Sequence, residues 1–336
     1  MSAVVQPSQS AAAPRRTVRF QARYLPLAVT VSLFVLMASL GSAVYPGFFS
    51  LQVFLNLLID NAFLCVVAVG MTFVILSGGI DLSVGSVIAL TTMVSAWLVD
   101  KHGFSPVAVI PLVLLMGTAF GALMGFLIER FRLQPFIVTL AGMFLARGLC
   151  YVISIDSISI TNDLYSDISQ IRVPVWGDAS ISLSGIVALG VVALAVFVAH
   201  YTSFGRNVYA IGGSENSALL MGLPVRSTII GVYTLSGFCS ALGGVLFTFY
   251  MLSGYGLHAL GLELDAIAAV VIGGTLLTGG VGYVAGTLFG VMMLCIIQTL
   301  IAFDGTLSSW WTRIAVGALL FVFCLLQRLF AARAAR

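Results

Sequence analysis

Long apolar stretches, separated by short polar segments, account for most of the 336-residue chain. Each stretch approaches or exceeds the roughly 18 apolar residues typical of a membrane-spanning helix. The pattern predicts an all-α polytopic membrane protein of about ten transmembrane helices. The ten predicted spans are Leu25–Val44, Val53–Leu76, Val84–Val99, Pro106–Ile128, Pro135–Ile153, Ile181–His200, Ile229–Leu252, Ala266–Gly280, Val284–Phe303 and Trp310–Gln327.

Composition agrees with this reading and excludes several chemistries. Hydrophobic residues make up 60% of the chain and charged residues only 8%, against roughly 25% charged residues in soluble domains. The only lysine, Lys101, is followed by His102, so the chain lacks the Lys-Ser/Thr pair of a nucleotide-binding P-loop. The cysteines and histidines lack metal-ligand spacing. We therefore expect no metal, no cofactor, no nucleic-acid partner and no enzymatic activity.

The distribution of arginine orients the chain in a lipid bilayer. An even number of spans puts both termini on one side, and basic loops stay in the cytoplasm. This predicts a cytoplasmic tail at 1–24, a transmembrane domain at 25–330 and a second cytoplasmic tail at 331–336. Residues 155–180 then form an acidic extracytoplasmic loop, and residues 202–228 form the longest cytoplasmic loop. The arginines expected in the cytoplasm are Arg15, Arg16, Arg19, Arg23, Arg130, Arg132, Arg206, Arg226, Arg328, Arg333 and Arg336.

Two glycine-rich segments, Ser77–Gly85 and Gly273–Gly280, interrupt the apolar pattern. Glycines in a membrane helix allow close packing of helices through small residues. They also occur where a discontinuous helix lines a substrate path. Both interpretations stay open at this point.

The loop at 202–228 contains the sequence of a short helix. Ser214 is a capping residue, Glu215 falls in the first turn, and Gly222 ends the apolar continuation. A helix of two turns is not stable alone in water, so it must pack on something. It lies either on the protein's own cytoplasmic face or in a groove of a partner subunit. The residues assigned to this coupling helix are Ser214, Glu215, Ala218, Leu219, Met221 and Gly222.

Charged residues inside the predicted spans need a reason, because a buried charge at the bilayer centre costs roughly 2.5–3.5 kcal/mol. Counting along the helices places Asp60 and Arg147 at about the same depth, which predicts an ion pair between them. Asp81 either caps the helix that follows it or acts as a gate residue. The full set of candidate pathway residues is Asp60, Asn61, Thr72, Ser77, Asp81, Ser83, Phe136, Thr139, Arg147 and Gln298.

The run from Gly70 to Ser86, GMTFVILSGGIDLSVGS, resembles the signature of sugar-importer permeases of the ABC class, including ribose, galactoside and galactofuranose permeases. The similarity continues through Gln134–Leu140, Leu264–Ala268 and Gly273–Thr275. The run Phe303–Thr312 is most similar to galactofuranose permeases.

This resemblance implies a permease subunit in a bacterial inner membrane, importing a sugar such as galactofuranose. It also implies three kinds of partner: an ABC ATPase subunit, a second permease subunit (the same chain or a different one) and an extracytoplasmic sugar-binding protein. In this family the coupling loop contacts the ATPase, although Asn216-Ser217-Ala218 departs in part from the usual pair of alanines. The alternative is an ion-coupled secondary transporter in which Asp60 or Asp81 titrates or binds the ion.

Overall fold

The structure, a computed structural model, describes residues 17–45, 47–305 and 310–334. Most of these residues are helical, and four short strands lie between the helices. The helices are α1 (Thr17–Val44), α2 (Leu51–Asp60), α3 (Ala62–Leu76), α4 (Val84–Ala96), α5 (Pro106–Phe131), α6 (Pro135–Ile153), α7 (Asp163–Gln170), α8 (Leu183–Tyr201), α9 (Ser203–Gly213), α10 (Glu215–Leu220), α11 (Val225–Met251), α12 (Leu262–Ile272), α13 (Val284–Asp304) and α14 (Trp310–Ala334).

The polytopic all-α class is confirmed, whereas the count of ten spans is only approximate. Among the described residues, six helices are long and apolar enough to cross a bilayer: α4 with its π-helical extension Trp97–Lys101, α5, α6, α8, α11 and α13. Helices α2 and α3 are long and apolar enough only when taken together, and they are bent by 64° at Asn61, as in a broken span or a re-entrant loop. Counted as one span, the pair brings the total to seven. Shorter apolar stretches, Ala28–Val44 and Trp310–Leu325, lie in α1 and α14.

Two predicted segments differ from the structure. The eighth predicted span, Ala266–Gly280, contains only the end of α12, an 11-residue helix. At 1.5 Å per residue α12 is about 16 Å long, half of the hydrocarbon core, because the glycines from Gly273 end it. The predicted loop at 202–228 begins with a helix, α9. The sequence did not predict this helix, because the glycines in it are unfavourable in helices.

The terminal tails lie partly outside the described residues. The helix α1 begins at Thr17, inside the predicted tail at 1–24, while Arg15 and Arg16 fall outside the described part of the chain. At the other end α14 continues to Ala334, beyond the predicted boundary at residue 330.

Helix α3 lies at the centre of the bundle. It is apolar on every side, and all of its residues except Phe63 are buried. A helix that is apolar all round belongs in an interior, and α3 accordingly packs against α8, α11, α12 and α13.

Helices α5 and α11 approach each other through glycine. Gly117, Gly121 and Gly125 recur every fourth residue on one face of α5. From α11, Gly237 faces the first two, and Ile230 and Tyr233 face Gly125. A β-carbon on Gly121 would overlap the carbonyl oxygen of Tyr233 and lie 2.9 Å from the Gly237 Cα. The small residues therefore let the two backbones touch, as is usual between membrane helices.

The two ends of the bundle are unlike. One end carries α9 and α10, and we refer to it as the α10 end. The other, the hairpin end, carries α7 and the antiparallel hairpin of β2 (Arg172–Trp176) with β3 (Ala179–Ser182). A second ribbon, β1 (Ile158–Ser159) with β4 (Ser253–Gly254), joins the loop before α7 to the end of α11.

Replacing Gly121 by alanine should destabilise the protein by about 1–3 kcal/mol, because the new methyl group forces α5 away from α11. Gly148→Ala on α6 is the matched control, since a β-carbon there meets no atom within 4 Å. Thermal unfolding of the two purified variants in detergent measures the difference. Equal unfolding temperatures would contradict the close approach of α5 and α11.

Candidate functional site

The first glycine-rich break, between α3 and α4, is built around the buried carboxylate of Asp81. One carboxylate oxygen accepts hydrogen bonds from the Ser83 backbone N–H (2.9 Å) and hydroxyl (2.6 Å). The other accepts from the Ser236 hydroxyl of α11 at 2.7 Å. Asp81 therefore joins the break to α11, but near α4 it accepts only from Ser83, the residue before that helix, and no side-chain hydrogen bond caps α4 itself. The capping and gate interpretations of Asp81 both stay predictions.

The second break, Gly273–Tyr283 between α12 and α13, meets the first one. The Gly280 N–H donates to the carbonyl oxygen of Leu76, the last residue of α3, at 2.9 Å. Positive φ angles of 86° at Gly78 and 73° at Gly280 explain the glycines at these two positions. Thr139 of α6 adds a third contact, because its hydroxyl donates to the Ile80 carbonyl at 3.3 Å.

A polar cavity of about 550 Å³ opens at the bend between α2 and α3. It is lined by Asp60 and Asn61 at the bend, by Gln298 of α13 and by Tyr250 of α11. Asp265 of α12 completes the polar lining. The structure therefore brings three of the candidate pathway residues, Asp60, Asn61 and Gln298, to one cavity.

A neighbouring cavity of about 450 Å³ shares Asp265, Gln298 and Ala302 with the first. Arg313 of α14 lies on its wall and donates to both carboxylate oxygens of Asp265, at 3.1 and 3.2 Å. Across the two cavities the ionisable groups are Asp60, Asp265 and Arg313. With all three ionised, this polar surface carries one more negative than positive charge.

The expected ion pair between Asp60 and Arg147 is absent. Arg147 donates instead to the carbonyl oxygens of Gly256 (2.6 Å) and His258 (2.7 Å) in the loop before α12. Matching depth was therefore not enough to make these side chains neighbours, since depth says nothing about the direction in which each side chain points. Burial, and then the Arg147 guanidinium, lower the pKa of His258 below its usual value, so its imidazole stays neutral at pH 7.

The remaining candidates hold helices together or lie at the surface. Thr72 of α3 shares a buried hydrogen bond of 2.7 Å with Thr287 of α13. Ser77 donates to the Val74 carbonyl within α3, and Ser83 belongs to the Asp81 cluster. Phe136, at the start of α6, is exposed. Their assignment to a pathway stays a prediction.

Helix α10 has the predicted local structure. The Ser214 hydroxyl accepts from the Ser217 N–H at 3.3 Å, Glu215 begins the helix, and Gly222 follows it with a φ of 74°. Glu215 also forms a surface ion pair with Arg132 at 3.1 Å.

Ala218 is the only buried side chain of α10. It lies in a small apolar cluster with Ile211 and Val225. The apolar residues that follow point away from the chain, with exposed fractions of 45% at Leu219, 90% at Leu220 and 67% at Met221.

Sequence reasoning missed Tyr250, Asp265, Arg313 and Ser236. For Asp265 and Arg313 a signal was present, since two opposite charges fall in or beside apolar stretches. The predicted eighth span began one residue after Asp265, which removed that residue from consideration. Among the described residues, no group of three or more His, Cys, Asp or Glu side chains is placed to hold a metal ion.

Comparison with known proteins gives consistent matches along the chain. The family model described as "Branched-chain amino acid transport system / permease component" matches residues 53–324. The inner membrane ABC transporter permease protein YjfF of Escherichia coli K12 is 54% identical over 91% of this chain and 92% of its own length. No solved structure matches the chain.

Two further relatives carry the names of sugars. The fructose import permease protein FruG of Bifidobacterium longum is 41% identical over 94% of both chains. The ribose import permease protein RbsC of Haemophilus influenzae is 40% identical over 77% of this chain and 80% of its own.

Replacing Asp81 by alanine should destabilise the protein by about 1–3 kcal/mol, because buried donors of Ser83 and Ser236 lose their acceptor. Asp81→Asn keeps one acceptor oxygen and should cost less. Thermal unfolding of both variants in detergent tests the order. If Asp81→Ala unfolds at the wild-type temperature, Asp81 does not hold the break to α11.

Proposed function

Because the chain belongs to the family of transport-system permease components, we propose that it is the membrane-spanning permease subunit of an ATP-driven ABC importer for a sugar. The observation that carries this proposal is the cavity lined by Asp60, Asn61, Asp265 and Gln298, which is open at Asp60. A transport path requires such a polar surface at membrane depth.

The second permease subunit follows from the position of this cavity. Charged side chains in a membrane face the interior of a bundle or a water-filled space, and not lipid. Asp60 is exposed in the single chain, and the side chain of Arg313 is 53% exposed. A second permease subunit that covers this surface shields both residues and turns the open cavity into an enclosed path.

A neutral sugar fits the chemistry of the cavity. Carboxylate and amide groups accept and donate hydrogen bonds to several hydroxyls at once, and Tyr250 and Phe63 offer aromatic faces. An ionised Asp60 beside the Asp265–Arg313 pair opposes anionic substrates. Relatives named for ribose and fructose favour a monosaccharide, and we propose galactofuranose or a closely related furanose.

The α10 end is the proposed docking site of the ATPase subunit. Exposed Leu219, Leu220 and Met221 supply an apolar face for a groove on a partner, the usual way in which a short amphipathic helix is recognised. Four arginines lie in or directly after the helices that reach this end: Arg130 in α5, Arg132 after it, Arg206 in α9 and Arg226 in α11. By the positive-inside rule, these arginines support a cytoplasmic position for the α10 end and for both termini.

The hairpin end then faces outward from the inner membrane. Its acidic segment between Asp156 and Asp178, together with the loop from Gly254 to Leu262, forms the proposed rim for an extracytoplasmic sugar-binding protein. Arg147 supports this rim, because it holds the carbonyls of Gly256 and His258.

Leu220→Glu should release the ATPase from the permease. Loss of an apolar contact at the centre of an interface costs about 2 kcal/mol or more, which weakens binding by about thirty-fold. Phe104→Glu is the control, since Phe104 is also exposed but lies before α5 at the hairpin end. The measurement is the amount of ATPase recovered with each tagged variant in mild detergent. Equal recovery would contradict docking at α10.

Uptake into proteoliposomes that contain the whole importer tests the substrate and the path. We expect ATP-dependent uptake of labelled sugar that unlabelled galactose, ribose or fructose reduces by competition and leucine does not. Asp60→Asn or Gln298→Leu should raise the KM for the sugar about tenfold, since hydrogen bonds to charged groups contribute about 1.5–3 kcal/mol. Ser39→Ala, on the exposed side of α1, should leave uptake unchanged.

Two outcomes of this experiment would overturn the proposal. Uptake that proceeds without ATP and stops when the ion gradient is collapsed would make the protein an ion-coupled carrier. Competition by leucine and not by sugars would make the cargo a branched-chain amino acid, as the description of the family model says.

A further inference from the structure

Three separate segments of the chain meet at one point of the α10 end. They are the C-terminal end of α3, the second glycine-rich break and the C-terminal end of α9. The Gly280 N–H of the break donates to the Leu76 carbonyl of α3. Gly212 of α9 lies against both of these groups.

Gly212 touches them backbone to backbone. A β-carbon on Gly212 would overlap the Leu76 carbonyl oxygen and lie 2.5 Å from the Gly280 nitrogen. A β-carbon on Gly279 would lie 2.9 Å from the Gly78 nitrogen and 3.1 Å from the Gly212 oxygen. Since all of these neighbours are main chain, none of them moves without moving its whole segment.

A second contact fixes α9 to the same break. The Tyr209 hydroxyl, one turn before Gly212, donates to the Gly282 carbonyl at 2.9 Å. Two neighbouring turns of α9 are therefore attached to the segment that separates α12 from α13.

The elements that meet Gly212 lead directly to the proposed path and to the proposed ATPase site. Helix α3 ends at the junction and begins beside Asn61, and α12 ends at the second break and carries Asp265 in its first turn. At 1.5 Å per residue, helices α3 and α12 are about 22 and 16 Å long, respectively. On the other side, only Gly213 and the capping residue Ser214 separate Gly212 from α10.

We propose that Gly212 is a positioning residue for transport: it transmits movement of the ATPase-docking helix α10 to α3 and α12 together, and so to both sides of the sugar cavity. This inference rests on the proposed function. The two broken helices respond together, because one main-chain contact bears on the end of α3 and on Gly280 of the break that follows α12. The start of this break is in turn bonded to α12, since the Thr275 N–H donates to the Val270 carbonyl. A side chain at position 212 separates the segments and uncouples ATP hydrolysis from sugar movement.

The test compares variants of the whole importer in proteoliposomes, with ATP hydrolysis and uptake of labelled sugar measured in the same sample. Gly212→Ala should bind the ATPase normally and keep its ATP hydrolysis within about twofold, while uptake per ATP falls about tenfold, a size typical of coupling between sites. Gly213→Ala is the matched control, since a β-carbon there meets nothing within 4 Å. It should behave as the wild type.

Tyr209→Phe removes one hydroxyl and adds no volume, so this variant should fold. It therefore tests the coupling inference if Gly212→Ala fails to fold. It should lower uptake per ATP about fivefold without loss of bound ATPase. Wild-type uptake per ATP in both variants overturns the inference, as does a parallel fall in uptake and hydrolysis. A wild-type importer that shows no ATP-dependent uptake overturns the proposed function first, and this inference with it.

Discussion

The architecture depends on one constraint: main-chain polar groups at membrane depth must find partners inside the protein, because lipid offers none. Two of the central helices are broken, which frees the ends of α3 and α12. The Leu76 carbonyl at the end of α3 accepts from the Gly280 N–H of the second break, whereas the end of α12 is bonded by the N–H groups of the glycines that follow it. The Asp81 carboxylate accepts from Ser83, just before α4, and from the Ser236 hydroxyl of α11.

This solution explains where glycine occurs. At Gly78 and Gly280 the backbone has a positive φ that other residues rarely adopt. At Gly121 and Gly212 the reason is different, since there the main chain of another segment occupies the place of a side chain. Within the glycine-rich segments both features occur, since the helices are broken there and Gly279 packs against the main chain of Gly78. That these segments line a substrate path stays a prediction.

The apolar stretches of the sequence predicted the long helices well, because a membrane-spanning helix requires only an uninterrupted run of apolar residues. Pro135–Ile153 has the predicted bounds, and the cap at Ser214 could be recognised from local residues alone. Arg147 shows the limit of this approach. Its partners are carbonyl groups of Gly256 and His258, more than 100 residues away, and backbone acceptors leave no mark on a sequence. Asp265 and Arg313 are likewise joined only by the packing of α12 against α14.

The open side of the polar cavity also bears on how the cell must make this protein. A newly inserted chain without a partner presents Asp60 and Arg313 at a surface that lipid solvates poorly. In the proposed importer, unassembled copies therefore differ from assembled ones in a property that membrane proteases and insertion factors can recognise, namely unshielded charge within the bilayer. The residues proposed to line the path then make the chain depend on balanced synthesis with its partner, which links the geometry of one cavity to subunit stoichiometry.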